Sequence, residues 1–112
     1  NFPQYHDFFG KLYEELHGAV DPIAEEIRSL DAYAPGSFTR FLELTEIEDE
    51  TNIPMAREMA IKLLRDNDTV LNTLNVAFKL ADQFDRQGLA DFIAGRIDVH
   101  NKHGWMLRSI IK

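Results

Sequence analysis

FPQYHDFFGKLYEELHGAVDPIAEEIRSL, residues 2–30, is the stretch on which the fold turns. Its apolar members are Phe2, Tyr5, Phe8, Phe9, Leu12, Tyr13, Leu16, Val20, Ile23, Ala24, Ile27 and Leu30. They follow one another at steps of 1, 3 or 4, the recurrence of a helix and not the alternation of a strand. Two breakers interrupt the run, Gly18 and Pro22. Being four apart, they set the proline ring against the carbonyl of a residue that has no side chain. The spacing therefore predicts one long helix with a kink or loosened turn, rather than two helices.

The same period governs the rest of the chain. Tyr33-Ala34-Pro35-Gly36 reads as a turn, and Ser37 as the cap of a short helix carrying Phe38, Phe41, Leu42 and Leu44. Glu46 to Asn52 reads as an acidic loop. Thr51 or Asn52 would cap a second long helix running from about Pro54 to Phe84. Its buried stripe would be Met55, Met59, Leu63, Leu64, Leu71, Leu74, Ala77, Phe78 and Ala81, with Asp66-Asn67-Asp68 as a weak polar interruption. Gln87-Gly88 marks the next turn, and a last helix is expected from Leu89 to about Ile111. Leu89, Phe92, Ile93, Ile97, His100, Trp105 and Leu107 would be its apolar or half-buried positions. The class is all-α, and long helices joined by short turns make bundles. Three long helices are an odd number for a bundle. Phe8 with Phe9, and Leu12 with Tyr13, cannot all enter one seam, so part of this surface is expected to meet another chain.

Length and composition narrow the function. One hundred and twelve residues make one small domain. No apolar run approaches the roughly 20 residues of a membrane-spanning helix. Cysteine is absent, so disulfides, thiol nucleophiles and thiolate metal sites are excluded. Twelve Lys and Arg against nineteen Asp and Glu give a net charge of −7, which repels nucleic-acid phosphate and anionic membranes and attracts cations.

The residues with chemistry to offer lie between His6 and Glu25. His17, Asp21 and Glu25 are spaced i, i+4, i+8 and fall along one helical face. Imidazole and carboxylates suit Fe, Mn or Zn. A solvated polar stripe is the competing reading of the same spacing. His6 lies fifteen residues before Asp21, about 22 Å along a helix axis, so one chain cannot bring both to one ion. At about 100° per residue the two nevertheless return to within about 60° of the same face. If two such helices pack antiparallel about a two-fold axis near Tyr13 to Leu16, His6 of one copy meets Asp21 and Glu25 of the other. The symmetry then makes two identical sites.

Asn1-Phe2, His6, Asp21-Pro22-Ile23-Ala24-Glu25-Glu26-Ile27-Arg28 and Ala34-Pro35-Gly36-Ser37, with His103-Gly104-Trp105-Met106-Leu107-Arg108 near the end, resemble the Dps family of ferritin-like DNA-protection proteins. The resemblance runs over essentially the whole chain. It implies a ferritin-like four-helix subunit in a hollow homododecamer. It also implies oxidation of Fe(II), preferentially by hydrogen peroxide, at a ferroxidase site shared by two subunits, and storage of the ferric product as mineral. His6 of one subunit with Asp21 and Glu25 of its neighbour would be the iron ligands, and His17 a further candidate. A bacterial cytoplasmic, nucleoid-associated setting goes with it.

The departures from the family are equally specific. The family's first helix and a second ligand His precede the position of Asn1, so residues 1–112 correspond to a single ferritin-like domain that is incomplete at its N-terminus. They would hold the second to fourth long helices and the short crossover helix. Something outside these residues is expected to fill the groove of the first helix. Glu26 stands where the family has Arg, and Pro22 is unusual in this helix. Asp82, Asp85 and Asp91 would line a three-fold pore that draws Fe(II) inward, or else be ordinary helix-end charges, with Asp91 in the first turn of the last helix. Glu43, Glu46, Glu48, Asp49 and Glu50 would nucleate mineral or form a solvated loop. His100 is expected to be a core or interface residue, His103 a surface one and Trp105 an interface anchor. A Lys-rich tail, the family's DNA contact, does not occur here, so DNA binding would need a basic segment upstream. A helical shell without a working ferroxidase site is the alternative function.

Overall fold

The computed structural model describes residues 2–112; Asn1, the first residue of the family resemblance, lies outside the described residues. Four helices make up most of the chain: α1 (Phe2–Ser29), α2 (Phe38–Leu44), α3 (Ala56–Gln83) and α4 (Gln87–Ile111). The described residues contain no strand, and the fold is all-α. The chain divides into two compact units, residues 1–45 and 46–112.

In the first unit α1 is helical through both Gly18 and Pro22, the single long helix that the periodicity requires. Leu12 and Ala19 are its buried residues. Tyr13, Leu16, Val20 and Ile23 are exposed and recur at three- and four-residue steps, and exposed Leu30 follows two turns on, the pattern of a second apolar stripe. The helix ends at Asp31, whose φ of 64° reverses the chain, and the Asp31 N–H returns to the Arg28 carbonyl at 3.0 Å. The reversal thus comes before Tyr33 to Gly36, because a short Asp side chain tolerates the left-handed region. Arg28 lies over the Tyr33 ring, 4.7 Å from its centroid. Ser37 caps α2 as expected: its hydroxyl accepts from the Arg40 N–H at 3.2 Å.

In the second unit the start of α3 differs from the sequence expectation. Met55 stays extended (φ −66°, ψ 157°) and occupies the N-cap position without a side-chain hydrogen bond. Thr51 and Asn52 lie too far upstream to reach the first free N–H groups, and Pro54 precedes the helix instead of opening it. Met55, expected in the buried stripe, is 81% exposed because it stands outside the helix. Glu58 supplies the negative charge that the first turn favours.

A three-residue link, Phe84–Arg86, turns α3 into α4. Asp85 adopts φ 56°. The Arg86 N–H donates to the Ala81 carbonyl at 2.8 Å and the Asp85 N–H to the Asp82 carbonyl at 3.1 Å. This is a Schellman closure with Asp in the place that glycine commonly takes. Gln87 and Gly88, expected in the turn, are helical, and no glycine has positive φ. Asp91 consequently lies beyond the first turn of α4, which holds no acidic residue.

So short a link makes α3 and α4 an antiparallel hairpin. Ala81, Ala90 and Ile93 are buried at its closed end, with Leu74, Ala77, Phe78, Leu89, Phe92 and Ile97 packed on them. Farther along, Asn67 pairs with His100 and Leu64 approaches Gly104. A Cβ on Gly104 would stand 3.2 Å from both Asn67 Nδ2 and Arg108 Nη1, so a larger residue there would push these polar groups back by a few tenths of an ångström.

Candidate metal centre

A helix without interruption fixes the axial positions of the proposed ligands, since the rise per residue is set by the backbone hydrogen bonds. His6, His17, Asp21 and Glu25 all lie on α1 and all are exposed. Their rings have defined neighbours. His6 stacks on Phe2 (centroids 5.8 Å apart, 20° between planes), and His17 lies parallel to Tyr13 (5.7 Å, 3°). Each imidazole therefore leans one turn toward the N-terminus, the direction in which helical side chains tilt. Within one chain these residues do not converge: among the described residues no three His, Cys, Asp or Glu side chains form a metal-holding group. The fifteen-residue spacing alone keeps His6 and Asp21 about 22 Å apart along the axis. The donors themselves, an imidazole and hard carboxylate oxygens left open to solvent, fit a first-row divalent ion such as Fe(II).

Asp82, Asp85 and Asp91 are also exposed, around the α3–α4 link. The acidic residues of the middle segment are dispersed. Glu43 pairs with Arg40 at 2.9 Å on α2. Glu50 pairs with Lys62 and accepts the Asn52 N–H at 3.2 Å. Glu46 borders an apolar surface groove of about 320 Å³ with Asn72, Val76 and Leu80.

One polar cluster was illegible as such in the sequence. Asn67, 8% exposed, is no interruption of α3; it faces His100, 4% exposed, across the hairpin. Asn67 Nδ2 donates to the His100 carbonyl at 2.9 Å, and its Oδ1 lies 2.8 Å from His100 Nδ1. Arg96 Nη2 lies 2.8 Å from His100 Nε2. A guanidinium only donates, so Nε2 accepts and Nδ1 carries the proton that Asn67 receives. The i, i+4 spacing of Arg96 and His100 was the available signal; the partner on α3 had none. His103, half-buried, meets the His100 ring edge-on at 5.4 Å. Trp105 is 63% exposed.

The ferritin-like domain model matches residues 1–112. A DNA protection during starvation protein from Brevibacillus brevis is 30% identical over 112 residues, covering 100% of this chain and 75% of the relative. The chain belongs to the Dps family of ferritin-like proteins. A low temperature-induced protein from a Nostoc species is 34% identical over 113 residues, which cover 99% of this Dps-family chain. The chain spans 63% of that relative's length. The crystal structure of a Dps protein from Vibrio cholerae superposes with a TM-score of 0.92 at 25% identity, over 96% of this chain and 67% of the other. That protein is described as a member of a broad superfamily of ferritin-like diiron-carboxylate proteins. No described helix of the Dps-family chain is long and apolar enough to cross a membrane.

Proposed function

We propose that this protein oxidises Fe(II), with hydrogen peroxide as the oxidant, and stores the ferric product within a homododecameric shell, protecting DNA from oxidative damage. The observation that carries the reading is the unbroken α1, with a histidine and two carboxylates placed on it so that only a second copy completes the set. In an antiparallel pair centred between Tyr13 and Glu14, residue i of one copy stands level with residue 27 − i of the other. His6 is then level with Asp21, and Phe2 with Glu25. The lean of His6 toward Phe2 carries its ring between the levels of the two carboxylates. The exposed stripe Tyr13, Leu16, Val20, Ile23 and Leu30 supplies apolar surface beside this face.

Iron is the substrate in this reading. Asp21 and Glu25 hold the hard ion and balance its charge as it rises from +2 to +3, and His6 adds a borderline nitrogen donor. Each peroxide takes two electrons from two Fe(II) and, with two protons, leaves as two waters, so the O–O bond breaks without releasing hydroxyl radical. Asp82, Asp85 and Asp91 are proposed to draw Fe(II) toward the shell interior through their summed field. The name of the Brevibacillus brevis relative supports DNA protection, and the diiron-carboxylate description of the Vibrio cholerae protein supports iron chemistry; contact with DNA itself would fall to a basic segment outside these residues, given the charge of −7.

Anaerobic Fe(II) loading followed by peroxide tests the reading. The protein is expected to consume about one peroxide per two Fe(II), from the electron balance, and Asp21→Ala with Glu25→Ala is expected to lower the rate at least about 10²-fold, as for loss of essential metal ligands. Unchanged kinetics in the double variant would remove the assigned site. A dodecamer-sized particle that stays free of mineral would point to the shell-only alternative.

A further inference from the structure

A two-fold axis sets most residues against different partners, but a residue beside the axis meets its own copy. In the antiparallel pairing proposed above, the axis passes between Tyr13 and Glu14. Tyr13 of one copy therefore stands within one residue rise, about 1.5 Å along the helix, of Tyr13 in the other. Tyr13 lies seven residues from His6, about 20° around the helix from it, on the His6 side of the paired face. The axis runs perpendicular to both helices and keeps that side on the same side, so the two Tyr13 side chains oppose each other. At the usual interaxial distance of about 8–10 Å their Cβ atoms come within about 6 Å, close enough for the rings to touch. Within one chain Tyr13 is 67% exposed, with His17 parallel to its ring. The other two tyrosines have no such relation to their copies. Tyr5 stacks on Phe9 and would stand about 25 Å along the axis from Tyr5 of the second copy. Tyr33 lies beyond the end of α1, under Arg28.

We infer that Tyr13 is a redox-active side chain at the seam between two copies: it supplies an electron when peroxide meets a shared site holding a single Fe(II), and the two Tyr13 rings then join as dityrosine. Peroxide needs two electrons to leave as two waters, and a single Fe(II) gives one. The shared site, at the level of His6 and Asp21, lies about 11 Å along the helix from the axis, so an electron crosses packed side chains and the phenol need not touch peroxide. Each Tyr13 loses its hydroxyl hydrogen as a proton and an electron. The two phenoxyl radicals couple Cε to Cε, and the hydrogen on each coupled Cε moves to its ring oxygen, restoring both phenols. Per pair of copies, two peroxides, two Fe(II), two Tyr13 and two protons give four waters, two Fe(III) and one dityrosine. The symmetry that makes two sites also provides one Tyr13 for each. The inference rests on the shared-site reading above and adds to it a reductant for the case in which iron runs short.

Denaturing gels, dityrosine fluorescence and mass spectrometry of the linked peptide test this on protein of confirmed oligomer size. Protein loaded anaerobically with a single Fe(II) per shared site and then given excess peroxide is expected to form covalent dimers joined Tyr13 to Tyr13. Loading with excess Fe(II) is expected to lower the yield, because iron then supplies both electrons. Tyr13→Phe is expected to lose the link while keeping its particle size, and Tyr5→Phe and Tyr33→Phe are expected to retain it. A link that persists in Tyr13→Phe, or a yield indifferent to excess Fe(II), would overturn the inference. Iron-free photo-oxidation with a ruthenium complex and persulfate separates the chemistry from the pairing, and is expected to join the same two residues. If light joins Tyr13 to Tyr13 but iron with peroxide does not, only the inference falls. If neither joins them, the pairing about this axis fails, and the shared-site reading falls with it.

Discussion

Replacing Asn67 by Leu removes a side chain that ties α3 to the imidazole of α4 while keeping the same branched arrangement of heavy atoms. Two hydrogen bonds go, the 2.9 Å donation to the His100 carbonyl and the 2.8 Å acceptance from Nδ1. The first loss is small, because a carbonyl inside α4 keeps its intrahelical donor. The second is larger, since a ring N–H on a residue 4% exposed has no water to turn to. A net hydrogen bond contributes about 1 kcal/mol, and a stranded buried donor costs a further 1–3 kcal/mol or so. Improved burial of the Leu methyls offsets roughly 1 kcal/mol of this. The expected loss is therefore about 2 kcal/mol. With a urea m-value of about 2 kcal/mol per M, the unfolding midpoint should fall by about 1 M. Equilibrium urea unfolding by circular dichroism reads this, at one fixed protein concentration so that assembly does not shift the comparison. Asn75→Leu is the control: its amide reaches only the Leu71 carbonyl of its own helix at 2.9 Å and is exposed, so a change within about 0.5 kcal/mol is expected. If the two variants unfold at the same midpoint, the reasoning from a buried hydrogen bond between α3 and α4 is wrong.

Two further outcomes follow from local geometry. Ser37→Ala should cost about 1 kcal/mol of local stability by freeing the Arg40 N–H, read as faster hydrogen exchange across α2 with little change elsewhere. Asp85→Val should destabilise the protein by about 1–2 kcal/mol, because a β-branched residue resists φ 56°, while Asp85→Gly should be neutral or stabilising in the same urea assay.

Much of the helical layout was legible in the residues because period is a local property. The steps along Phe2 to Leu30 produced α1 as one element, and Ser37 marked the start of α2. The errors fell at ends and turns. Met55 remained extended although Pro54 looked like the opening of a helix, and the α3–α4 reversal fell on Asp85 rather than on Gly88. Composition favours glycine at a left-handed position, but the position itself is set by where the α3 stripe stops being useful to the hairpin. For the candidate metal centre, residue types and axial spacing were readable, since a helix turns sequence distance directly into length and angle. The lean of His6 onto Phe2 and of His17 onto Tyr13 was not, because it depends on which rotamers the neighbouring rings favour.

Sequence by itself determined the all-α class, the negative charge, the absence of thiol chemistry and the register of His6, Asp21 and Glu25 on one helix. All of these depend on residues near one another in the chain, or on none in particular. Tertiary structure alone decided that Asn67 is a buried partner and not a break. A polar residue amid a helix reads the same whether it faces water or a histidine thirty-three positions away. Only the approach of α4 supplies the imidazole that turns a cost of burial into a bond.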